Sequence, residues 1–107
     1  MIDKKKFYIN GQWVSPKNPK EIQVIDPATE KNCAVISLAG AEDVNAAVTA
    51  AKKAFETWEF TSKEERVKLL EDLHVLYKKR WTDIAEAITL EMGAPKDFSS
   101  QLQTGTG

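Results

Sequence analysis

Apolar side chains recur every three or four residues over residues 62–92, which is the spacing that places them on one face of an α-helix. Ser62 followed by Glu65 is typical of the capping box that begins a helix. Gly93 and Pro95 predict its end, because glycine tolerates the left-handed closing conformation and proline cannot continue the helix. We expect the rest of the sequence to supply a surface that covers the apolar stripe, which comprises Leu70, Leu73, Tyr77, Trp81, Ile84, Ile88 and Met92.

The same period predicts further helices on either side and a break inside the long stretch. Residues 41–58 form an amphipathic pattern with carboxylates in its first turn, where they meet the positive end of the helix dipole. Lys78-Lys79-Arg80 suits a helix C-terminus, so we predict two helices in near line that meet near Trp81. Residues 96–102 are weakly amphipathic, and no stop signal follows them.

Short β-branched and aromatic runs dominate the first forty residues. Residues 7–9 and 12–14 flank Asn10-Gly11, a dipeptide typical of a tight type I′ hairpin. A second strand pair, residues 22–25 and 34–38, flanks a turn that begins at Asp26-Pro27. The sequence therefore predicts an α+β segment, with short antiparallel strand pairs followed by three or four helices.

Composition and charge narrow the class of protein. A chain of 107 residues fits one domain but is small for an enzyme with both a cofactor site and a substrate site. A net charge of -1 gives no basis for nucleic-acid binding, and Lys4, Lys5 and Lys6 are expected to form a solvated arm. No apolar run approaches the roughly 20 residues of a membrane helix, and a single cysteine agrees with a reducing compartment. We expect a cytoplasmic protein with no nucleic-acid or membrane partner.

Three features of the sequence are candidates for a chemical role. Cys33 has no histidine or basic cluster near it in sequence, so we expect a small buried strand residue rather than a nucleophile. His74 lacks carboxylates at a metal-binding spacing and is expected at the boundary of the core. Gly105-Thr106-Gly107 resembles the start of a dinucleotide-binding glycine run, but no strand is predicted before it. The residues alone assign no catalytic and no cofactor-binding side chain.

Five motifs in register carry a family resemblance over residues 7–98. Together they resemble the N-terminal portion of the NAD(P)-dependent aldehyde dehydrogenase superfamily. The motifs are Tyr8-Ile9-Asn10-Gly11-Gln12-Trp13-Val14, Val24-Ile25-Asp26-Pro27-Ala28-Thr29, the helix from Ala41-Glu42-Asp43-Val44 to Trp58, Glu65-Arg66 with Leu69-Leu70, and Thr89-Leu90-Glu91-Met92-Gly93-Ala94-Pro95.

The resemblance implies a longer α/β enzyme with a cofactor domain, a catalytic domain and an oligomerisation flap, assembled as a homodimer or homotetramer. Residues 1–107 would be the N-terminal part of the cofactor domain and inactive alone. In the family a cysteine thiolate attacks the aldehyde to form a thiohemiacetal, hydride passes to NAD or NADP, and water hydrolyses the thioester to a carboxylic acid. The resemblance places those residues downstream of Gly107, and Cys33 does not match the catalytic cysteine.

The resemblance also implies one site within the segment. Many members hold a structural monovalent cation, and the matching positions here are the backbone carbonyls of Val24 and Ile25 and the carboxylate of Glu91. Hard cations prefer such oxygen ligands; the alternative is that Glu91 is an ordinary last-turn glutamate. Many members complete the turn that begins at Asp26-Pro27 with a glycine. This chain has Lys31-Asn32 there, so Asn32 is expected to adopt the left-handed conformation.

The alternative to a segment of an enzyme is a free-standing helical module that binds another protein. In that hypothesis the stripes of residues 44–58 and 70–92 pack together and a remaining face binds a partner. A self-contained module would melt cooperatively, whereas a segment of a larger fold would expose apolar surface and bind hydrophobic dyes.

Overall fold

A computed structural model describes residues 1–107. The residues group into two compact units, each made of two stretches of chain. The first unit comprises residues 1–24 and 32–61, and the second comprises residues 25–31 and 62–107. None of the helices combines the length and the apolar character that crossing a membrane requires.

Five strands are present, and three of them form one sheet. The order in that sheet is β1-β5-β4, while β2 and β3 form a separate two-stranded sheet. The strands are β1 (Ile2–Lys4), β2 (Phe7–Ile9), β3 (Gln12–Val14), β4 (Lys20–Asp26) and β5 (Lys31–Leu38).

The predicted hairpin is confirmed in register and in turn geometry. β2 and β3 pair antiparallel with Ile9 opposite Gln12. Asn10 (φ 54°) and Gly11 (φ 75°) both have positive φ, as a two-residue type I′ turn requires. The rings of Tyr8 and Trp13 contact each other across the strands, with centroids 5.2 Å apart and their planes tilted by 57°.

Helix α1 (Ala41–Trp58) matches the predicted bounds. Its first turn contains Asp43, which is 4% exposed and accepts two backbone hydrogen bonds. One comes from Gly40 N at 3.0 Å and the other from Lys17 N at 3.0 Å. Asp43 therefore both caps the helix and fixes the loop that follows β3.

In the second unit, residues 25–31 comprise the end of β4, a turn and the first residue of β5, and residues 62–107 are mainly helical. The long stretch breaks at Arg80, as predicted, into α2 (Lys63–Lys79) and α3 (Trp81–Met92). Ser62 and Glu65 form the predicted capping box. Beyond Pro95 a short α4 (Lys96–Phe98) continues into a π-helical turn (Ser99–Gln103) and a 3₁₀ turn (Thr104–Thr106).

Two expectations about the strands are wrong. The N-terminal residues are not only a solvated arm, because Ile2–Lys4 pairs parallel to β5 with Ile2 opposite Ala34. Lys5 is held by ion pairs to Asp3 and Glu21. Asn32 is not left-handed, since it already lies in β5; Glu30 (φ 57°) takes that conformation instead.

The expectation that the chain itself covers its apolar stripe is wrong for α2. Leu70 is 63% exposed, and no residue of α2 is buried. Val35 and Ala85 are the buried apolar side chains. The reason is that little apolar surface packs on α2, whereas α3 packs on the segment that follows it.

Candidate functional site

A tightly bonded turn joins β4 to β5 and begins the site. Asp26 organises it: the carboxylate accepts hydrogen bonds from Ala28 N at 2.8 Å and from Thr29 Oγ1 at 3.0 Å. The Asp26 carbonyl accepts a third from Glu30 N at 2.8 Å. Aspartate suits this position because its short side chain reaches the backbone amide two residues ahead.

The C-terminal end of α3 lies against that turn. Gly93 closes the helix with φ 69° and donates its N–H to the Thr89 carbonyl at 2.9 Å. A β-carbon built on Gly93 would lie only 2.8 Å from Pro27 Cγ. Glycine is therefore required here twice, for its positive φ and for the close approach to the proline ring.

A cavity of about 480 Å³ opens between the turn and α3. Ala85 lies in its floor, and carboxylates and hydroxyls stand around it. No cysteine or histidine lines it, so the wall offers hydrogen-bonding groups without a paired nucleophile and base. The lining residues are Asp26, Ala28, Thr82, Ala85, Glu86, Thr89, Leu90, Lys96, Asp97 and Ser100.

Behind the cavity lies a buried polar network that the sequence did not reveal. Ser99 and Thr104 are fully buried. Thr89 Oγ1 donates to Ser99 Oγ at 2.9 Å, and Thr104 Oγ1 donates to the Ser99 carbonyl at 2.7 Å. Tyr77 OH donates to the Thr104 carbonyl at 2.9 Å. Buried hydroxyls need such partners, and these bonds hold the π-helical turn on α3 and the 3₁₀ turn on α2.

The residues predicted to bind a cation lie at the end of β4 and in the last turn of α3. The Val24 carbonyl accepts a hydrogen bond from Cys33 Sγ at 3.4 Å and keeps a second lone pair. Ile25 is exposed. Glu91 is exposed and forms no hydrogen bond or ion pair within the chain. No group of three or more His, Cys, Asp or Glu side chains is arranged to hold a metal ion. The predicted cation site has a single carboxylate and relies otherwise on backbone carbonyls.

The other candidates lie apart from any catalytic arrangement. Cys33 is half-buried in β5, and His74 is exposed on α2. Gly105-Thr106-Gly107 follows helical turns rather than a strand, so it lacks the strand–glycine–helix context of a dinucleotide motif.

Two side chains outside the cavity have shifted proton affinities. Hydrogen bonds from the backbone amide and the hydroxyl of Ser62 lower the pKa of Glu65. A hydrogen bond to Glu21 raises the pKa of Lys5, helped by the nearby charge of Asp3. Both groups lie at the surface and support local structure.

Comparison with known sequences decides the family. The sequence profile of the aldehyde dehydrogenase family matches residues 13–105. The chain belongs to this family. The aldehyde dehydrogenase profile thus includes the turn, the cavity and the end of α3, and the resemblance drawn from the five motifs is confirmed.

Individual aldehyde dehydrogenases agree in sequence and in structure. The chain is 50% identical over 95 residues to a 3-succinoylsemialdehyde-pyridine dehydrogenase from Pseudomonas sp., covering 89% of this chain and 20% of that protein. A crystal structure of aldehyde dehydrogenase from Bartonella henselae superposes with a TM-score of 0.97 at 50% identity, covering 99% of this chain and 22% of that one. A mutant of aldehyde dehydrogenase C from Pseudomonas syringae, in complex with NAD+ and octanal, gives 0.92 at 40% identity, covering 94% and 21%.

The chain spans about a fifth of the length of the curated relatives it matches. The likeness to solved aldehyde dehydrogenases confirms the predicted fold class, an α+β segment with short strands and four helices.

Proposed function

We propose that the chain acts as the N-terminal part of the cofactor domain of an NAD(P)-dependent aldehyde dehydrogenase, which oxidises an aldehyde to a carboxylic acid. The match of the family profile over residues 13–105 carries the proposal. The NAD+ complexes among similar structures, from Pseudomonas syringae and Bacillus cereus, support a nicotinamide cofactor as hydride acceptor. We also propose that the reaction follows the family mechanism, in which a cysteine thiolate attacks the aldehyde and water hydrolyses the resulting thioester.

We assign none of the 107 residues to the chemical step. Cys33 donates its thiol proton to a backbone carbonyl and has no base beside it, so the proposed thiolate comes from another part of the enzyme. The glycines near residue 105 lack the strand that a pyrophosphate-binding turn requires. The role proposed for this segment is structural: it presents the turn, the cavity and the apolar faces of α1 and α2 to the rest of the enzyme.

Surface exposure supports this role. Phe55 and Trp58 on α1 are 56% and 44% exposed, and the leucines of α2 are more than half exposed. A monomeric protein rarely leaves contiguous apolar faces open to water. A larger fold covering those faces therefore fits the exposure better than a self-contained helical module.

The experiment begins with the intact mass of the native gene product, measured by top-down mass spectrometry. The same preparation is tested for aldehyde-dependent reduction of NAD+ and NADP+. We expect a mass several times that of the 107 residues together with such activity. A product of the chain's own mass that melts cooperatively and reduces neither cofactor would contradict the proposal and favour the interaction module.

The proposal extends to a structural monovalent cation bound by the Val24 and Ile25 carbonyls and the Glu91 carboxylate. The close approach of Gly93 to Pro27 supports it, because the C-terminal end of α3 then lies beside the turn that follows Ile25. That helix end carries partial negative charge, which favours a cation. Glu91 has no competing partner in the chain.

The cation is tested on the whole enzyme by its thermal stability in potassium or sodium chloride against choline chloride. A bound cation raises the melting temperature by mass action. Glu91→Gln should weaken that response, whereas Glu86→Gln removes a carboxylate from the same helix and should leave it unchanged. Equal salt responses in both variants and the parent would remove Glu91 from the site.

Assembly and compartment complete the proposal. A homodimer or homotetramer in the cytoplasm agrees with the family resemblance. Native mass spectrometry of the purified enzyme measures the first, and fractionation of the source cells measures the second.

A further inference from the structure

The tip of the β2–β3 hairpin combines a reactive dipeptide with an open surface. Asn10 and Gly11 are both exposed. A β-carbon built on Gly11 would meet no heavy atom within 4 Å. Neither the Asn10 carboxamide nor the Gly11 amide N–H forms a hydrogen bond within the chain. Both reacting groups are therefore free and reach solvent.

An asparagine followed by glycine can cyclise. The Gly11 amide nitrogen loses its proton to solvent base and forms a bond to Asn10 Cγ; Nδ2 takes up a proton from water, the Cγ–Nδ2 bond breaks and ammonia leaves. Water then opens the succinimide at one of its two carbonyls, which yields either aspartate or isoaspartate. Glycine offers the least hindrance to this attack, because it has no side chain beside the nucleophilic nitrogen.

The hairpin permits the motion that ring closure needs. Each strand has three residues, and β2 and β3 form a sheet of their own. So short a two-stranded ribbon is weakly held, and such segments open locally at small free-energy cost. Asn10 can therefore leave its turn conformation while the rest of the unit stays folded.

We infer that Asn10 is a site of spontaneous deamidation in the folded protein and that isoaspartate formation there disrupts the β2–β3 hairpin. An aspartate at position 10 keeps the turn, since aspartate tolerates positive φ. Isoaspartate adds a methylene to the backbone of a two-residue loop whose length fixes the register of Ile9 opposite Gln12. The two products therefore differ in their structural effect.

The other asparagines provide controls within the same chain. Asn18 precedes Pro19, whose nitrogen carries no proton. Asn32 lies in strand β5, and Asn45 lies in helix α1, where the next amide is held in a helical hydrogen bond. These three positions should react slowly in the folded protein.

The test uses the whole polypeptide expressed from its gene and incubated under native conditions at mildly acidic and mildly alkaline pH. Peptide mapping measures isoaspartate and aspartate at each asparagine, and methyl transfer by an isoaspartyl methyltransferase gives an independent count. We expect deamidation at Asn10 to be several-fold faster than at Asn32 or Asn45 and to rise with pH. Asn10→Gly retains positive φ and should abolish methyl acceptance by the peptide that contains residue 10.

Asn10→Asp measures the charge effect without the backbone insertion and should keep the hairpin intact. The inference is overturned if Asn10 reacts no faster than Asn32 and Asn45 in the folded chain. It is equally overturned if Asn10 reacts only after unfolding in urea, since the native turn would then protect it. If the peptide that contains Asn10 accepts no methyl groups in the parent protein, isoaspartate does not form there and the inference is overturned.

Discussion

Replacing Gly93 by alanine should destabilise the protein through two separable effects. The first is the backbone: φ is 69°, and holding an L-residue in the left-handed region costs about 1–2 kcal/mol. The second is steric: the new β-carbon would lie 2.8 Å from Pro27 Cγ, and overpacking of this kind costs about 1–3 kcal/mol. Together they predict a loss of about 2–5 kcal/mol in the free energy of unfolding.

Gly11→Ala is the matched control for the backbone effect. Its φ of 75° is nearly the same, but an added β-carbon there meets open space. The reduction in unfolded-state entropy that accompanies any glycine-to-alanine change is common to both variants. The difference between them therefore isolates the contact with Pro27.

Urea denaturation of the whole protein measures both variants, together with Pro27→Ala and the Pro27→Ala/Gly93→Ala double variant. Removing Pro27 Cγ leaves Cβ at 3.5 Å, an ordinary contact, so the double variant should recover the steric part of the loss. The reasoning is refuted if Gly93→Ala is no worse than Gly11→Ala, or if Pro27→Ala restores nothing.

Three further predictions concern hydrogen bonds. Asp43→Asn turns one acceptor of the buried carboxylate into a donor that faces an N–H, which should cost about 1.5–3 kcal/mol in urea denaturation; an unchanged midpoint would contradict this. Tyr77→Phe leaves the Thr104 carbonyl without its donor and should lower the midpoint by an amount equivalent to about 0.5–1.5 kcal/mol, at an unchanged denaturant slope. Because the folded-state pKa of Glu65 is lowered, its contribution is present above the ordinary glutamate pKa and is lost as pH falls through the folded value. Glu65→Gln should flatten the acid dependence of helicity measured by circular dichroism, while Glu71→Gln on the same helix should not.

Local chemistry was the predictable part of the fold. The capping box at Ser62, the left-handed Gly93 and the Asn10-Gly11 turn each depend on residues a few positions apart, so the sequence shows them directly. Strand β1 depends on pairing Ile2 with Ala34, a parallel contact with no local signal.

In the turn after Asp26, the left-handed residue lies two positions earlier than predicted, at Glu30 instead of Asn32. β5 begins at Lys31, so the left-handed residue must precede it, and Glu30 is the position whose N–H closes on the Asp26 carbonyl. The sequence also did not predict the hydroxyl network around Ser99 and Thr104. Its members come from α2, α3, the π-helical turn and the 3₁₀ turn, and no local pattern in the sequence brings these four elements together.

The apolar stripe of α2 and α3 shows that helical spacing of apolar residues predicts a helix but does not predict which of those residues are buried. On α3 the stripe is half-buried at Ile84 and Ile88, because α3 has a packing partner in the π-helical turn. On α2 it continues in phase but stays in water, with Leu73 57% exposed. Fully burying one leucine is worth about 1.5–3 kcal/mol, so covering several matches a large part of the 5–15 kcal/mol that stabilises a typical domain. Under the proposed function the remainder of the enzyme supplies that cover, and the stability of α2 depends on it.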